Sequence, residues 1–546
     1  MAAPALGTRA AGARNATAPG RVGSSVTAPT QARITRASVG LRSERGPVLL
    51  AVMLSTGLVA IDATILAAAV PAVVRDLGGL SQFPWLFSVY LLAQAVSMPI
   101  YGKVADVVGR KPVMLVGVGL FVLGSLLCGL AWSMGSLVAF RLLQGLGAGA
   151  VQPIGMTIIG DIYSVAERAT VQGYLAAVWA ISSPAGPTPG GIFADYLSWR
   201  WIFFVNLPLG AVATWMLWRR LEEKRTARDP VAPRARTDVL GALLLLVGTV
   251  ALLVALLEGG VVWAWSSPAS IGLLVVSVVA LVGFVLVERR APDPVLPLWV
   301  FGHRVVGAAM ATSFVVGVLL LGLTSYVPLF AQGVLGTGAI VAGFALAAMT
   351  IGWPIAATTS GRIYLRFGFR ATTLLGAFIA LAGAALLLTV DGSSSVLHLA
   401  APNFVMGLGF GYAASPAIVA AQSSVGWQQR GVATSATLFA RSVGSAVGVA
   451  AFGAIANTVV RSQLGAAPTD LESMPSGVLE PAIHAVFVAS FGVAVLLIEQ
   501  SEKTIVTRPI CRLSTPNAAR RAGIAGATTA ASSAAMKTPT NRRRIL

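Results

Sequence analysis

Charge is what this chain has least of. Only 11% of its 546 residues are Asp, Glu, Lys or Arg, against roughly 25% in a soluble globular domain, which excludes a water-soluble globule. Cysteine is nearly absent as well. Cys128 and Cys511 cannot build a disulfide framework and supply no CxxC metal motif. The three histidines, His303, His398 and His484, are scattered. No paired carboxylates and no nucleophile–base pair stand in the apolar core, so no catalytic constellation is expected and the chain is read as not an enzyme. No Walker A loop occurs, so no nucleotide or other cofactor is implied.

What is present is apolar sequence in long runs. Hydrophobic residues make up 56% of the chain, in stretches of about 20 residues, the length that crosses a bilayer as a helix. Fourteen spans fall near 48–71, 83–104, 112–132, 136–159, 169–193, 201–218, 238–258, 268–287, 305–330, 339–359, 371–390, 396–420, 431–459 and 481–498. Lys and Arg gather on the cytoplasmic side of membrane proteins. With both termini inside, cytoplasmic segments hold 34 of the 39 Lys and Arg, outer loops hold Arg75, Arg200 and Arg461, and two lie within spans, Arg141 and Arg441. The expected product is a multi-pass protein of the plasma (inner) membrane with both termini cytoplasmic. Its net charge of +19 is accounted for by topology and by attraction to anionic lipid heads. No aromatic–basic interleaving points to a nucleic acid partner.

Glycine-rich stretches in the first half return about 260 residues later. Gly102 and Gly109 return as Gly361 and Gly368; Gly145, Gly147 and Gly149 as Gly407, Gly409 and Gly411; Gly173, Gly186 and Gly190 as Gly431, Gly444 and Gly448. The chain is therefore a duplicated unit, and duplicated membrane bundles rock about a site at their interface. The expected organisation is a disordered basic cytoplasmic tail (1–46), an N-terminal six-helix bundle (47–219), a cytoplasmic loop (220–237), an inserted helical pair (238–287), a second loop (288–304), a C-terminal six-helix bundle (305–499) and a cytoplasmic tail (500–546). The first apolar run is too long for a signal-peptide core, so no cleaved signal is expected.

The loop from Gly102 to Lys111 reads G-x-x-x-D-x-x-G-R-K. Gly102 and Gly109 allow a tight turn and close helix approach, Asp106 can cap a helix start or pair with a neighbouring base, and Arg110 and Lys111 hold the loop in the cytosol. No strand precedes it, so it is not a phosphate cradle. The loop is similar to the signature between the second and third helices of the major facilitator superfamily. Arg141-Leu142-Leu143-Gln144-Gly145-Leu146-Gly147-Ala148-Gly149 resembles that family's fourth-helix motif, and Gly186-Pro187-Thr188-Pro189-Gly190-Gly191 resembles its fifth-helix antiporter motif. Asp62-Ala63-Thr64-Ile65 with Pro71, and the segment from Trp199 to Gly210, resemble its fourteen-helix drug/proton antiporter branch. The family often has Asn where Ala67 stands. The resemblance covers about residues 47–499. It implies an all-α polytopic fold of two six-helix bundles plus the inserted pair, self-sufficient as a monomer.

Asp62 is the acidic residue deep inside a span, and an ionisable group there is a functional candidate. Helical rise puts Asp62 and Arg141 at similar depth, about 20 Å above the inner face, so a pair across the first unit is feasible. Three roles remain open for it: proton coupling, a static ion pair, or a bystander. Arg441 has no acid at its depth in the second unit, and is either structural or a polar wall of the cavity. The glycine rows fit plain helix packing as well as a conformational role in which Gly186, Pro187, Gly190 and Gly191 shape a moving helix. Tyr90, Gln94, Trp179, Tyr326, Gln332 and Arg441 are candidate cavity residues, with Trp353 and Phe410 nearby in the repeat. The expected function is proton-driven export of amphipathic compounds, the proton gradient being the energy source and the bilayer, a small molecule and protons the partners. Export of a lipid or endogenous metabolite, and a non-transporting membrane sensor, are the alternatives.

Overall fold

A computed structural model describes residues 39–78, 82, 85–185, 190, 192–223, 238–259, 262–464 and 474–502. Most of both expected tails, residues 224–237, and Gly186, Pro187 and Gly191 of the fifth-span motif lie outside the described residues.

Among the described residues fourteen long helices succeed one another: α1 (Gly46–Leu77), α2 (Trp85–Val108), α3 (Arg110–Gly129), α4 (Met134–Ile162), α5 (Val165–Ala185), α6 (Asn206–Arg220), α7 (Val239–Glu258), α8 (Pro268–Glu288), α9 (Arg304–Gly333), α10 (Ala339–Phe367), α11 (Phe369–Leu387), α12 (Val396–Ser423), α13 (Arg430–Leu464) and α14 (Ser476–Glu502). Among the described residues, 13 helical stretches are long and apolar enough to cross a membrane, one being α6 together with the short helix before it. The exception is α5, whose 21 residues suffice in length but include Glu167, Arg168 and Gln172.

Local chemistry sets the ends. Ser133 and Ser136 form a capping box at the start of α4, Asp238 caps α7, and Ser267 caps α8 ahead of Pro268, each satisfying backbone donors that the first turn leaves open. Gly109 (φ 116°) and Gly368 (φ 95°) make the one-residue turns between α2 and α3 and between α10 and α11, backbone conformations that L side chains rarely adopt.

The two halves repeat their packing. In the first, α4 lies against α2 and α3, α5 against α1, and α6 against α1 and α3; in the second, α12 lies against α10 and α11, α13 against α9, and α14 against α9 and α11. Glycine contacts show the correspondence residue by residue. A Cβ on Gly145 would stand 2.5 Å from the Tyr90 carbonyl oxygen, and one on Gly407 would stand 2.1 Å from that of Met349. Likewise Gly147 would collide with the Phe121 nitrogen at 2.3 Å and Gly409 with the Ala380 nitrogen at 2.5 Å. The halves meet along α2–α13 and α5–α10. Of the inserted pair, α7 packs on α2 and α13, its Leu253 sharing an apolar cluster with Leu92, Ala95, Val96 and Ala446, while α8 leans on α7.

Residues 39–45, grouped with the disordered tail on composition, fold back onto the first half. Val39 is buried, its carbonyl accepts a bond from the Tyr163 hydroxyl at 3.3 Å, and Arg45 pairs with Glu167 at 3.1 Å. A single apolar anchor and one ion pair, invisible in an Arg- and Ala-rich composition, account for the difference.

Candidate functional site

The interior of the first half holds a polar network sealed from solvent. Asp62 on α1 is 0% exposed and Arg141 on α4 is 1% exposed, and Arg141 Nη1 donates to Asp62 Oδ2 at 2.6 Å. Gln144, one turn along α4, donates from Nε2 to Asp62 Oδ1 at 2.8 Å and to Ser125 Oγ on α3 at 2.7 Å. Asn206, the first residue of α6, donates to Asp62 Oδ1 and to Ser125 Oγ, both at 3.3 Å. The carboxylate thus collects two donors besides the arginine, one from Gln144 on the same helix as Arg141 and one from Asn206 on α6.

Arg141 is held independently of Asp62. Its Nε donates to the Leu86 carbonyl at 3.1 Å, its Nη1 also to Gln144 Oε1 at 2.7 Å, and its guanidinium lies 4.1 Å from the centre of the Tyr90 ring. Breaking a buried ion pair ordinarily strands a charge at a cost of about 3–5 kcal/mol. Here a carbonyl, an amide oxygen and an aromatic face stay with the cation if the carboxylate becomes neutral. Arg141 therefore keeps partners of its own apart from Asp62.

A second network, the latch, joins the halves at the end where α2 turns into α3 and α12 into α13. Asp106 on α2 accepts the backbone N–H groups of Gly431 and Val432, at 2.9 and 2.8 Å, at the start of α13, and pairs with Arg110 at 2.8 Å. Arg110 also pairs with Asp161 at 3.0 Å, donates to the Trp427 carbonyl at 2.5 Å and lies 3.9 Å from the centre of that ring. Asp161 completes the bridge to Arg430 at 2.9 Å. Arg168 donates to the Gly160 carbonyl and to Gln422 Oε1 at 3.3 Å, and Gln422 donates to the Met156 carbonyl at 3.1 Å. Gly102 is what lets α2 come so close: a Cβ there would meet Ser435 Oγ at 2.3 Å. Lys103 pairs with Asp293, tying the loop after α8 to the same corner. A cleft of about 740 Å3 opens beside the latch, lined by charged groups including Arg110, Asp161 and Glu223, which is not the apolar cavity expected for cargo.

The expected site residues separate into groups. Asp62 and Arg141 meet, and Gly102, Asp106, Gly109 and Arg110 gather at the latch. Of the fifth-span motif only Gly190 is described, and it is buried. The cavity candidates do not form one lining. Tyr90 stacks on Arg141, Gln94 is buried in α2, Tyr326 sits in the core of the second half, Trp179 is exposed, and Gln332 is exposed near the end of α9. Sequence reasoning met Gln144 and Asn206 only inside longer motifs and gave neither them nor Ser125 a role. The one signal for Gln144 is its i+3 spacing from Arg141, which places both on one helix face.

The family model described as Major Facilitator Superfamily matches residues 52–449. The chain belongs to the Major Facilitator Superfamily. This major facilitator protein is 34% identical over 418 residues to the multidrug transporter protein MdtP of Bacillus subtilis (strain 168), covering 77% of this chain and 76% of that one. It is 35% identical over 417 residues to multidrug resistance protein 3 of the same organism, covering 76% of this chain and 80% of that one. It is 33% identical over 407 residues to the efflux pump dotC of Dothistroma septosporum, covering 74% and 70%. The crystal structure of the human organic anion transporter MFSD10 superposes with a TM-score of 0.58 at 15% identity, covering 84% of this chain and 99% of that one, a likeness of fold. The chain is a multi-pass integral membrane protein of a transporter family, related to multidrug efflux proteins.

Proposed function

We propose that this protein is a secondary active transporter of the plasma membrane that exports amphipathic compounds in exchange for protons by alternating access. The observation that carries the reading is the sealed Asp62–Arg141 pair, with its reserve partners for the arginine. In this reading Asp62 takes the proton, and the carboxyl left neutral weakens its hold on α4 through Arg141 and Gln144 and on α6 through Asn206. The inner latch is the second element: it joins the halves at the ends where basic residues cluster, which suits a conformation closed to the cytoplasm. Relatives bearing multidrug-transporter and efflux-pump names support the cargo class. Both termini are cytoplasmic, the working unit is a monomer, and neither a cofactor nor chemical conversion of the cargo is required.

The test is reconstitution of the full chain and of Asp62→Asn in liposomes under an imposed pH gradient, following the uncharged amine N-phenyl-1-naphthylamine and lumenal pH together. The expected outcome is gradient-driven flux in the wild type and background flux in the variant. Equal flux in both would remove Asp62 from the coupling. Cargo flux in the wild type without any pH change would end the antiport reading.

A further inference from the structure

The second half contributes a charge of its own. Arg441 lies 11 residues into α13, about 16 Å above the cytoplasmic end of that helix at 1.5 Å per residue. Its direction follows from what its neighbours touch. Gly444 and Gly448 press on the Phe314 and Val318 carbonyls of α9, whereas Gly431 and Gly102, with Ser435, form the contact with α2. Between these two rows, at helical spacing, runs the stripe Thr434, Leu438, Arg441 and Ser445. Thr434 accepts from Gln422 of α12 at 3.0 Å, Leu438 clusters with Met98 of α2 and Ile418 of α12, and Ser445 donates to the Gly317 carbonyl of α9 at 3.3 Å. The stripe therefore faces inward, between α2, α9 and α12, and Arg441 is its cationic member.

Arg441 makes no ion pair or side-chain hydrogen bond among the described residues. Nor is it sealed in: the residue is partly exposed, in contrast to Arg141. A guanidinium in the membrane interior must be solvated or neutralised by something. The other deep cation, Arg141, is already neutralised by Asp62, so the enclosed space carries an uncompensated positive charge on the second half. The planar donor fork of arginine suits carboxylate, sulfonate and phosphate oxygens in paired hydrogen bonds.

We propose that Arg441 is a cargo subsite for an anionic group, so that the favoured cargo is an amphipath with an apolar body and a negatively charged head. This rests on the efflux reading above and narrows its cargo class, away from purely cationic lipophiles. An anionic head replaces the water that otherwise hydrates the guanidinium, while the apolar body lies against the hydrocarbon walls.

Two fluorophores isolate the charge: 8-anilinonaphthalene-1-sulfonate and its uncharged parent N-phenyl-1-naphthylamine. Equilibrium binding to the full chain in nanodiscs, against empty nanodiscs, needs no gradient and no transport. Wild type is expected to bind the sulfonate more tightly than the parent amine. Arg441→Gln is expected to weaken the sulfonate about tenfold or more and leave the amine unchanged, while Arg441→Lys retains most of the preference. Unchanged amine binding serves as the control for a folded variant. Wild type without a preference for the sulfonate, or equal loss of both probes in Arg441→Gln with Arg441→Lys no better, would overturn the subsite. Repeating the binding in Asp62→Asn separates the two readings: a sulfonate preference that survives there supports the Arg441 subsite whether or not Asp62 couples transport, whereas its loss there with amine binding intact would tie the preference to the Asp62 network and overturn the subsite.

Discussion

The two halves share a skeleton and differ in chemistry. Gly145, Gly147 and Gly149 make the same backbone approaches as Gly407, Gly409 and Gly411. At the places between those glycines the residues diverge. Arg141 corresponds to Asn403 and Gln144 to Met406. Asn403 turns its amide back to the Leu399 carbonyl of its own helix at 2.8 Å, and Met406 joins the apolar core. The loops diverge likewise. Asp106 and Arg110, the polar heart of the latch, correspond to Leu365 and Phe369, and Phe369 stacks on Tyr364 with ring centres 4.8 Å apart. Duplication preserved the features that pack helices, and only one copy carries a charged network at its centre. Close packing accounts for the contacts these shared glycines make, while the unduplicated residues call for another account.

The largest effect is expected where the halves differ most. Arg141→Met leaves Asp62 without its cation in a sealed interior and is expected to cost about 3–5 kcal/mol, or to force the carboxyl neutral. Asn403→Met at the corresponding place removes one amide bond within a helix and is expected to cost less than about 1.5 kcal/mol. Urea or thermal unfolding in detergent measures both. Equal costs would mean that the ion pair contributes no more than its apolar counterpart. Adding Asp62→Asn to Arg141→Met should recover much of the loss, because no unpaired charge remains.

Where the halves agree, the substitutions should agree too. Gly147→Val and Gly409→Val each drive a side chain into the backbone of a neighbouring helix, at Phe121 and Ala380, and each is expected to cost about 1–3 kcal/mol or more through overpacking. A large cost in one half alone would show that the shared skeleton is energetically lopsided.

These comparisons also mark what the sequence could convey. The spans were legible because about 20 apolar residues in a row have one physical use. The Asp62–Arg141 pair was legible because only a few charges lie deep in the chain and depth can be counted by helical rise. Asp161, Arg168, Gln422, Trp427 and Arg430 were not, since each lies in an ordinary-looking stretch near a span end and acquires its partners from chain segments hundreds of residues away. The cavity candidates stand in different surroundings for a related reason. Aromatic and amide residues near the middle of a span are equally at home on a cation, as Tyr90 is, in a core, as Tyr326 is, or at the surface, as Trp179 is.

A smaller effect is expected at the latch. Asp106→Leu copies the second half's residue into the first and removes acceptors for Arg110, Gly431 and Val432. It is expected to shift the balance toward a state open at the latch end by about 2 kcal/mol, visible as longer distances between spin labels on the α2–α3 and α12–α13 turns. Leu365→Asp, the reciprocal change, has no corresponding backbone donors to satisfy and is expected to leave those distances alone. Unchanged distances in Asp106→Leu would mean that the glycine contacts alone hold the inner face shut.

The smallest effect belongs to the outer end of the first half. Asp76 lies in the last turn of α1, past the first span expected near 48–71. It pairs with Arg200 at 2.5 Å and accepts from Trp199 Nε1 at 3.0 Å. Arg200, then Trp199, hold its carboxyl below the ordinary value of 3.8. A carboxyl lowered in the folded protein contributes stability above its unfolded pKa, and that contribution fades as pH falls through the folded value. The pair is half exposed and screened by water, so Asp76→Asn is expected to cost less than about 1 kcal/mol at neutral pH. The difference from wild type should shrink as the pH is taken below about 4, the unfolded carboxyl's range. A deficit that persisted undiminished in acid would assign the role of Asp76 to hydrogen-bond geometry with Trp199 rather than to its charge, and would make the outer corner, unlike the sealed network beneath it, a site where ionisation does not matter.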